Sequence, residues 1–323
     1  MPAQSLTRTL GEVLYAQEGM QAYLLIDPML REPFAAEVLQ DAKCESIAVV
    51  LRNSPLREDQ WPRLVRLRPF ATEILSASVE AALAEQSDAV QESEQGFAID
   101  GWLCSAARPE RLARHLAYCM RQVTPKYKNR YLRLADRRVL EWMWPQFDET
   151  ERVQWLGPIT QWWTLDRSAR LAAHTLESPV DQAPEKAYLP KLTEQQWAHT
   201  QDCEQVQQVL RGWRSFAPAL PPDYLAQAMR ALSAARHLGL RESNELVLMC
   251  AYQLQIHPQL CTHPAIVAAI DKARNKALAL VDVLAEIPDP EGWERIRREL
   301  QDGSAYRQAP ENVQPDSSHG RSE

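Results

Sequence analysis

The stretch that decides the fold runs from Arg130 to Trp163 and reads RYLRLADRRVLEWMWPQFDETERVQWLGPITQWW. Its first residues alternate as a strand does, and Asp136 then stands where a helix N-cap belongs, its carboxylate able to accept backbone N–H bonds. A helix follows from RRVLEWMW, and a second strand is expected at the Trp162–Trp163 pair after the Gly157-Pro158-Ile159 turn. Trp142, Trp144, Trp155, Trp162 and Trp163 all fall inside this one unit. On a helix Trp142 and Trp144 point about 200° apart, and in a strand the adjacent Trp162 and Trp163 take opposite faces. One member of each pair is therefore expected at a surface, where tryptophan commonly anchors an interface. Nothing in the unit resembles a catalytic set, so it points to a surface built to hold another protein.

Working outward toward the N-terminus, residues 5–16 put Leu6, Leu10, Val13 and Leu14 on one helical face. The unbroken run Ala22–Ile26, ending at Asp27, reads as a strand covered on both sides. A helix with Phe34, Val38 and Leu39 inward and a second buried strand at Ile47–Leu51 then suggest a strand-helix-strand crossover. Leu64–Leu67 is a third apolar segment. The acidic residues from Glu80 to Glu94 read as a helix running into a polar loop, and 97–106 as a further strand. Pro109 opens an amphipathic helix with Leu112, Leu116, Cys119 and Met120 on one side. The first 176 residues are thus expected to form an α/β lobe, a mixed or mostly parallel sheet with flanking helices.

Toward the C-terminus the pattern changes. Residues 177–191 hold Pro179, Pro184 and Pro190 and suit a linker. From 192 to 305 only helices are expected: a capping box at Thr193 and Gln196, and further starts near Asp223, Ser243, Pro264 and Asp289-Pro290. Residues 306–323 lack apolar content and read as a disordered tail.

The 323-residue chain is 45% hydrophobic and carries a formal charge of −7, an ordinary soluble composition that counts against nucleic acid as the main partner. No apolar run approaches the ~18 residues needed to span a bilayer, and the first 20 lack a signal-peptide core, so a cytoplasmic protein is expected. The six cysteines, Cys44, Cys104, Cys119, Cys203, Cys250 and Cys261, form no CxxC pair and read as reduced thiols. No phosphate-binding glycine loop, HExxH or GxSxG occurs. His257, Cys261 and His263 have a spacing that zinc would accept, but both histidines precede prolines, and turn or capping roles explain them. No metal, cofactor or catalytic group is assigned.

Three features admit more than one reading. Asp27 lies at the carboxyl end of a strand, where open sheets place ligands, yet capping the turn into Pro28 also accounts for it. Arg138 is expected to pair with Asp27 or Asp136. The basic residues between Arg108 and Arg138, Arg111, Arg114 and Arg137 among them, fit a solvated face or an acidic protein, with nucleic acid the lesser alternative.

Three segments carry a resemblance: YLLID at 23–27, YLRLADRRVL at 131–140 and LGPI at 156–159 before the tryptophan pair. In this order they resemble the effector-chaperone, or adaptor, family of bacterial type VI secretion systems, catalogued as domain of unknown function 4123. Asp27, Asp136, Arg138, Val139, Leu140, Gly157, Pro158 and Ile159 match its pattern. Ile26 intervenes before Asp27, Ala135 replaces an aromatic, and Arg137 stands where the family prefers proline. The resemblance implies a non-catalytic adaptor that binds a cognate toxic effector and helps load it on a VgrG-type spike. Within it Asp27, Asp136, Arg138, Gly157 and Pro158 are architectural, and Arg111, Arg114, Arg137, Trp142, Trp144, Trp162 and Trp163 are candidate partner contacts. The rival expectations are an enzyme acting on a phosphorylated or acidic substrate through Asp27 and the basic 108–138 face, and a nucleic-acid-associated protein.

Overall fold

The computed structural model describes residues 2–35, 38, 45–52, 54–69, 72–123, 130–176, 190–217 and 219–303. The expected contributions of Leu39 and Cys44, most of the 177–191 linker and the 306–323 tail lie outside these residues. The chain forms two compact units, Met1–Gln207 and Gln208–Glu323.

The first unit is built on strands β1 (Gln21–Ile26), β2 (Ser46–Ala48), β3 (Arg63–Leu67), β4 (Ile99–Ser105), β7 (Gln161–Leu165) and β8 (Leu171–His174). They form one sheet in the order β2-β3-β1-β4-β7-β8. Every neighbouring pair in it is antiparallel, which corrects the expected mixed or parallel sheet. The crossover from Ala22–Ile26 to Ile47–Leu51 does not exist as a parallel unit, because β3 lies between β1 and β2. The misreading has a physical source. An unbroken apolar strand reports burial on both faces, and burial alone does not fix strand direction. Here an antiparallel sheet is itself covered twice. Helices α1 (Pro2–Leu14) and α2 (Thr72–Ser87) pack Leu10, Leu14, Ile74, Leu75 and Val79 onto Leu24, Ile26, Val65 and Trp102.

On the other face α4 (Pro109–Met120) packs beside β2 and β3, and α5 (Arg137–Met143) against β4. The expected buried strand at 47–51 is in fact a short edge strand, exposed at Ser46 and Ala48, with Val49 and Leu51 buried beyond its end. Between Glu80 and Glu94 the polar loop is replaced by a second helix, α3 (Ala89–Gln95), capped by Asp88. The carboxylates of Glu85 and Glu92 are turned inward.

Two irregularities shape the sheet centre. The pairing of β1 with β4 shifts between Leu25↔Gly101 and Ile26↔Ile99, leaving Asp100 as the extra, bulged residue. At Gly101 an added Cβ would lie 2.1 Å from the carbonyl oxygen of Trp163, so only glycine lets β7 approach.

The Arg130–Trp163 stretch opens more briefly than expected. Its strand is only β6 (Arg130–Tyr131), paired with β5 (Arg121–Gln122). Asp136 caps α5, accepting from the Arg138 N–H, and a second helix, α6 (Glu149–Leu156), follows with a capping box from Asp148 and Glu151. Gly157 ends it at φ 53°, where a Cβ would lie 2.3 Å from the His115 ring.

The helices after β8 are α7 (Glu194–Phe216), α8 (Tyr224–His237), α9 (Ser243–Gln255), α10 (Pro264–Lys276), α11 (Leu280–Leu284) and α12 (Glu291–Gln301). No strand occurs among the described residues here, matching the expected all-α lobe. The Thr193–Gln196 capping box forms in both directions, at 2.9 and 3.1 Å. His263 caps α10 through Nδ1 and meets Glu299 at 2.8 Å, and His257 accepts from the Gln259 N–H.

Candidate functional site: a buried charge frame beside a basic groove

Asp27 is fully buried at the end of β1. Its Oδ1 accepts from the Met29 N–H at 2.9 Å and its Oδ2 from Arg133 Nε at 2.6 Å. Arg133, rather than Arg138, is therefore its partner. Burial pushes the Asp27 carboxyl up, opposed by that guanidinium. Arg138 instead turns back on Asp136, with Nε 2.9 Å from Oδ1 and Nη2 2.6 Å from Oδ2. Burial would raise the Asp136 pKa, but the guanidinia of Arg138 and Arg133 and the cap hydrogen bond outweigh it and hold it at about 2.

The frame continues inward. Arg138 reaches Glu92 at 3.4 Å, and Arg167 grips both oxygens of Glu92 at 2.6 and 2.8 Å. Arg137 bonds Glu85 at 2.7 Å, the Ala82 carbonyl at 2.8 Å and the Ile99 carbonyl. Glu85 also takes Arg31 at 2.7 Å and the N–H of Ala98 at 2.8 Å. At the centre lies Phe97, with the guanidinium carbons of Arg137, Arg138 and Arg167 at 3.8, 4.7 and 5.2 Å from its ring centroid. Asp100 stands apart. It accepts from Trp162 Nε1 at 2.7 Å, and burial raises its pKa well above the usual carboxylate value.

This geometry sorts the candidate partner contacts. Arg137, Trp142 and Trp162 are buried within the chain and are not available to a partner, a correction to their expected role. Arg137 is consumed by Glu85 and two carbonyls, and Trp142 stacks on His199 at 4.1 Å. Trp144 and Trp163 are half-buried. Trp144 meets Arg152 at 5.4 Å and His174 at 5.1 Å, while Trp163 packs against the sheet core. Arg111 and Arg114 are exposed and, among the described residues, form no ion pair.

Arg114 lines a groove of about 590 Å³ between α4 and β2. One wall is Ile47, Ala48, Val50 and Arg52; the other is Glu110, Ala113, Arg114, Ala117, Tyr118 and Arg121. Depth comes from Ala113 and Ala117, one turn apart, whose side chains stop at Cβ. The guanidinia of Arg52, Arg114 and Arg121 face the single carboxylate of Glu110, so the groove is basic. Sequence reasoning missed Arg52 and Tyr118, and took Arg121 only as one of the basic residues between Arg108 and Arg138. The stripe Glu110, Arg114, Tyr118, Arg121 was readable at helical spacing, but its pairing with residues about 60 positions earlier required the sheet. A second groove, about 410 Å³, lies within the helical unit beside the stacked Tyr252 and Trp293. Among the described residues no His, Cys, Asp and Glu group is arranged to hold a metal ion, and no helix is long and apolar enough to cross a membrane.

Asp27, Asp136, Arg138 and the groove all lie between the end of β1 and the start of α6.

Residues 22–154 match the family model of DUF4123, a domain of unknown function.

The DUF4123 region takes in Asp27, Asp136 and Arg138 and both groove walls, and stops just short of the Gly157-Pro158-Ile159 turn. The family is linked in general to adaptors of type VI secretion. No curated protein and no solved structure matches the chain.

Proposed function

We propose that this protein is a non-catalytic cytoplasmic adaptor that binds a cognate toxic effector and helps load it on the VgrG-type spike of a bacterial type VI secretion system. The observation that carries this reading is the DUF4123 match over residues 22–154, a family linked to type VI effector adaptors. The use of the ionisable groups supports it. Asp27, on which the enzyme alternative rested, is fully buried and committed to Arg133 and the Met29 N–H. Asp136, Glu85 and Glu92 are likewise bound to arginines inside the unit. The exposed chemistry is a basic groove with an apolar floor, which suits a protein ligand.

Co-expression with each effector and spike protein of the same bacterium tests the reading. A stoichiometric complex with one effector, read by light scattering after size exclusion, is the expected result. A chain that stays alone in the presence of all of them excludes the adaptor role.

A further inference from the structure

The edge strand and the groove beside it share a feature that neither has alone. The N–H of Val49 bonds the Pro62 carbonyl at 2.7 Å and the N–H of Arg66 bonds the Glu45 carbonyl at 2.9 Å, with Ile47 opposite Leu64. In an antiparallel ladder, backbone groups alternate between the partner and the open side. Glu45, Ile47 and Val49 therefore bond β3, and the N–H and C=O groups of Ser46, Ala48 and Val50 point away from it. β2 is the last strand of the sheet among the described residues, so those groups lie at an open edge. Ala48 and Val50 also line the basic groove, and Val50 is 43% exposed.

We infer that the groove accepts an extended acidic segment of a partner protein, which adds to β2 as a seventh strand. Two independent observations meet here. The open edge offers alternating donors and acceptors that another peptide backbone matches in register, and Arg52, Arg114 and Arg121 supply charge for acidic side chains on the added strand. A strand has a two-residue period, so every second residue would face the groove, acidic side chains there reaching Arg52, Arg114 and Arg121 and small ones resting on Val50, Ala113 and Ala117. A nucleic acid would use the arginines and leave the edge unpaired. The partner's identity as an effector or spike rests on the adaptor reading; the strand addition does not.

The test uses the full chain and displayed random peptides of about 12 residues. Enriched sequences should place acidic residues two positions apart, on one face of a strand. Ala48→Pro removes an N–H that faces away from β3, a position where edge strands tolerate proline, and should weaken the enriched peptides at least about tenfold. Arg52→Glu with Arg114→Glu, both at exposed positions, should weaken them as much and serves if the proline variant does not fold. Enrichment of basic or patternless peptides, no enrichment over bare support, equal binding by both variants, or displacement by single-stranded DNA would each overturn the inference. Failure of the effector co-expression with success here would reject the adaptor reading alone.

Discussion

Arg138 holds both carboxylate oxygens of Asp136, the residue that caps its own helix, at 2.9 and 2.6 Å. One carboxylate thus starts α5, neutralises a guanidinium above Phe97 and meets Arg133 at 3.4 Å. Asp136→Asn keeps part of the cap but leaves Arg138 with its longer contact to Glu92 and Arg133 with Asp27, one negative charge short for the two guanidinia. We expect a loss of about 3–5 kcal/mol in urea denaturation, in the range for removing one partner of a buried pair.

Arg137 gives a sharper case, because proline is the residue the family prefers there and α5 should accept it at N1. In this chain Arg137 is 2% exposed and bound to Glu85, so Arg137→Pro should destabilise by about 3 kcal/mol despite the helix-start preference. A neutral outcome in the same denaturation assay would show that Arg31 alone can balance Glu85.

The exposed arginines should behave oppositely. Arg111→Ala and Arg114→Ala remove no ion pair among the described residues, and should leave stability within about 0.5 kcal/mol. Trp142→Ala and Trp162→Ala empty buried sites and should cost about 3–5 kcal/mol. Thermal melts of the four variants separate contact residues from core before any partner is in hand.

Gly101→Ala places a methyl against the Trp163 carbonyl, a backbone atom that cannot swing aside. A cost of about 3 kcal/mol is expected from forced separation of β4 and β7. Hydrogen exchange should show it as lost protection along that pair.

His174, deep beside Thr164 and Trp144, is held down to about 4 by burial and by Arg152. Its unfolded pKa is near 6.5, so as pH falls from about 6.5 to 4 the unfolded chain takes up a proton that the folded one refuses. Stability falls across that window by up to about 1.4 kcal/mol per pH unit. Glu141, pushed up to about 7 by burial, acts in the other direction: the folded chain holds its proton, and stability rises as pH falls from 7 toward 4.5. The stability difference between wild type and His174→Asn isolates the histidine, and should shrink steadily from pH 6.5 to 4. Asp136 adds a further loss below pH 4, as its carboxylate is titrated toward about 2.

Much of the frame could be read from the sequence because it is local. The Asp136 cap, the Thr193 capping box, the turn at Gly157 and the turn roles of His257 and His263 each depend on residues within a few positions. The sheet direction was not legible, since burial of both faces gives the same apolar run whichever way the neighbour points. Glu85 and Glu92 were hidden for a related reason. An acidic run reads as solvated, and their partners Arg137 and Arg167 lie 52 and 75 residues away. The same distance made Arg137 look like a surface cation. The groove was only half visible, one wall as a helical stripe and the other as an apolar run whose edge position emerged with β3.

The open edge at Ser46, Ala48 and Val50 also bears on how the chain tolerates its own company. Two copies meeting edge to edge would extend the sheet into an aggregate, a hazard of any uncovered strand. β2 limits that hazard by being three residues long and by holding Arg52 just past its end, so that two such edges repel as they approach. Replacing Arg52 and Arg114 with neutral residues should therefore shorten the shelf life of concentrated protein at low salt well before it lowers the melting temperature.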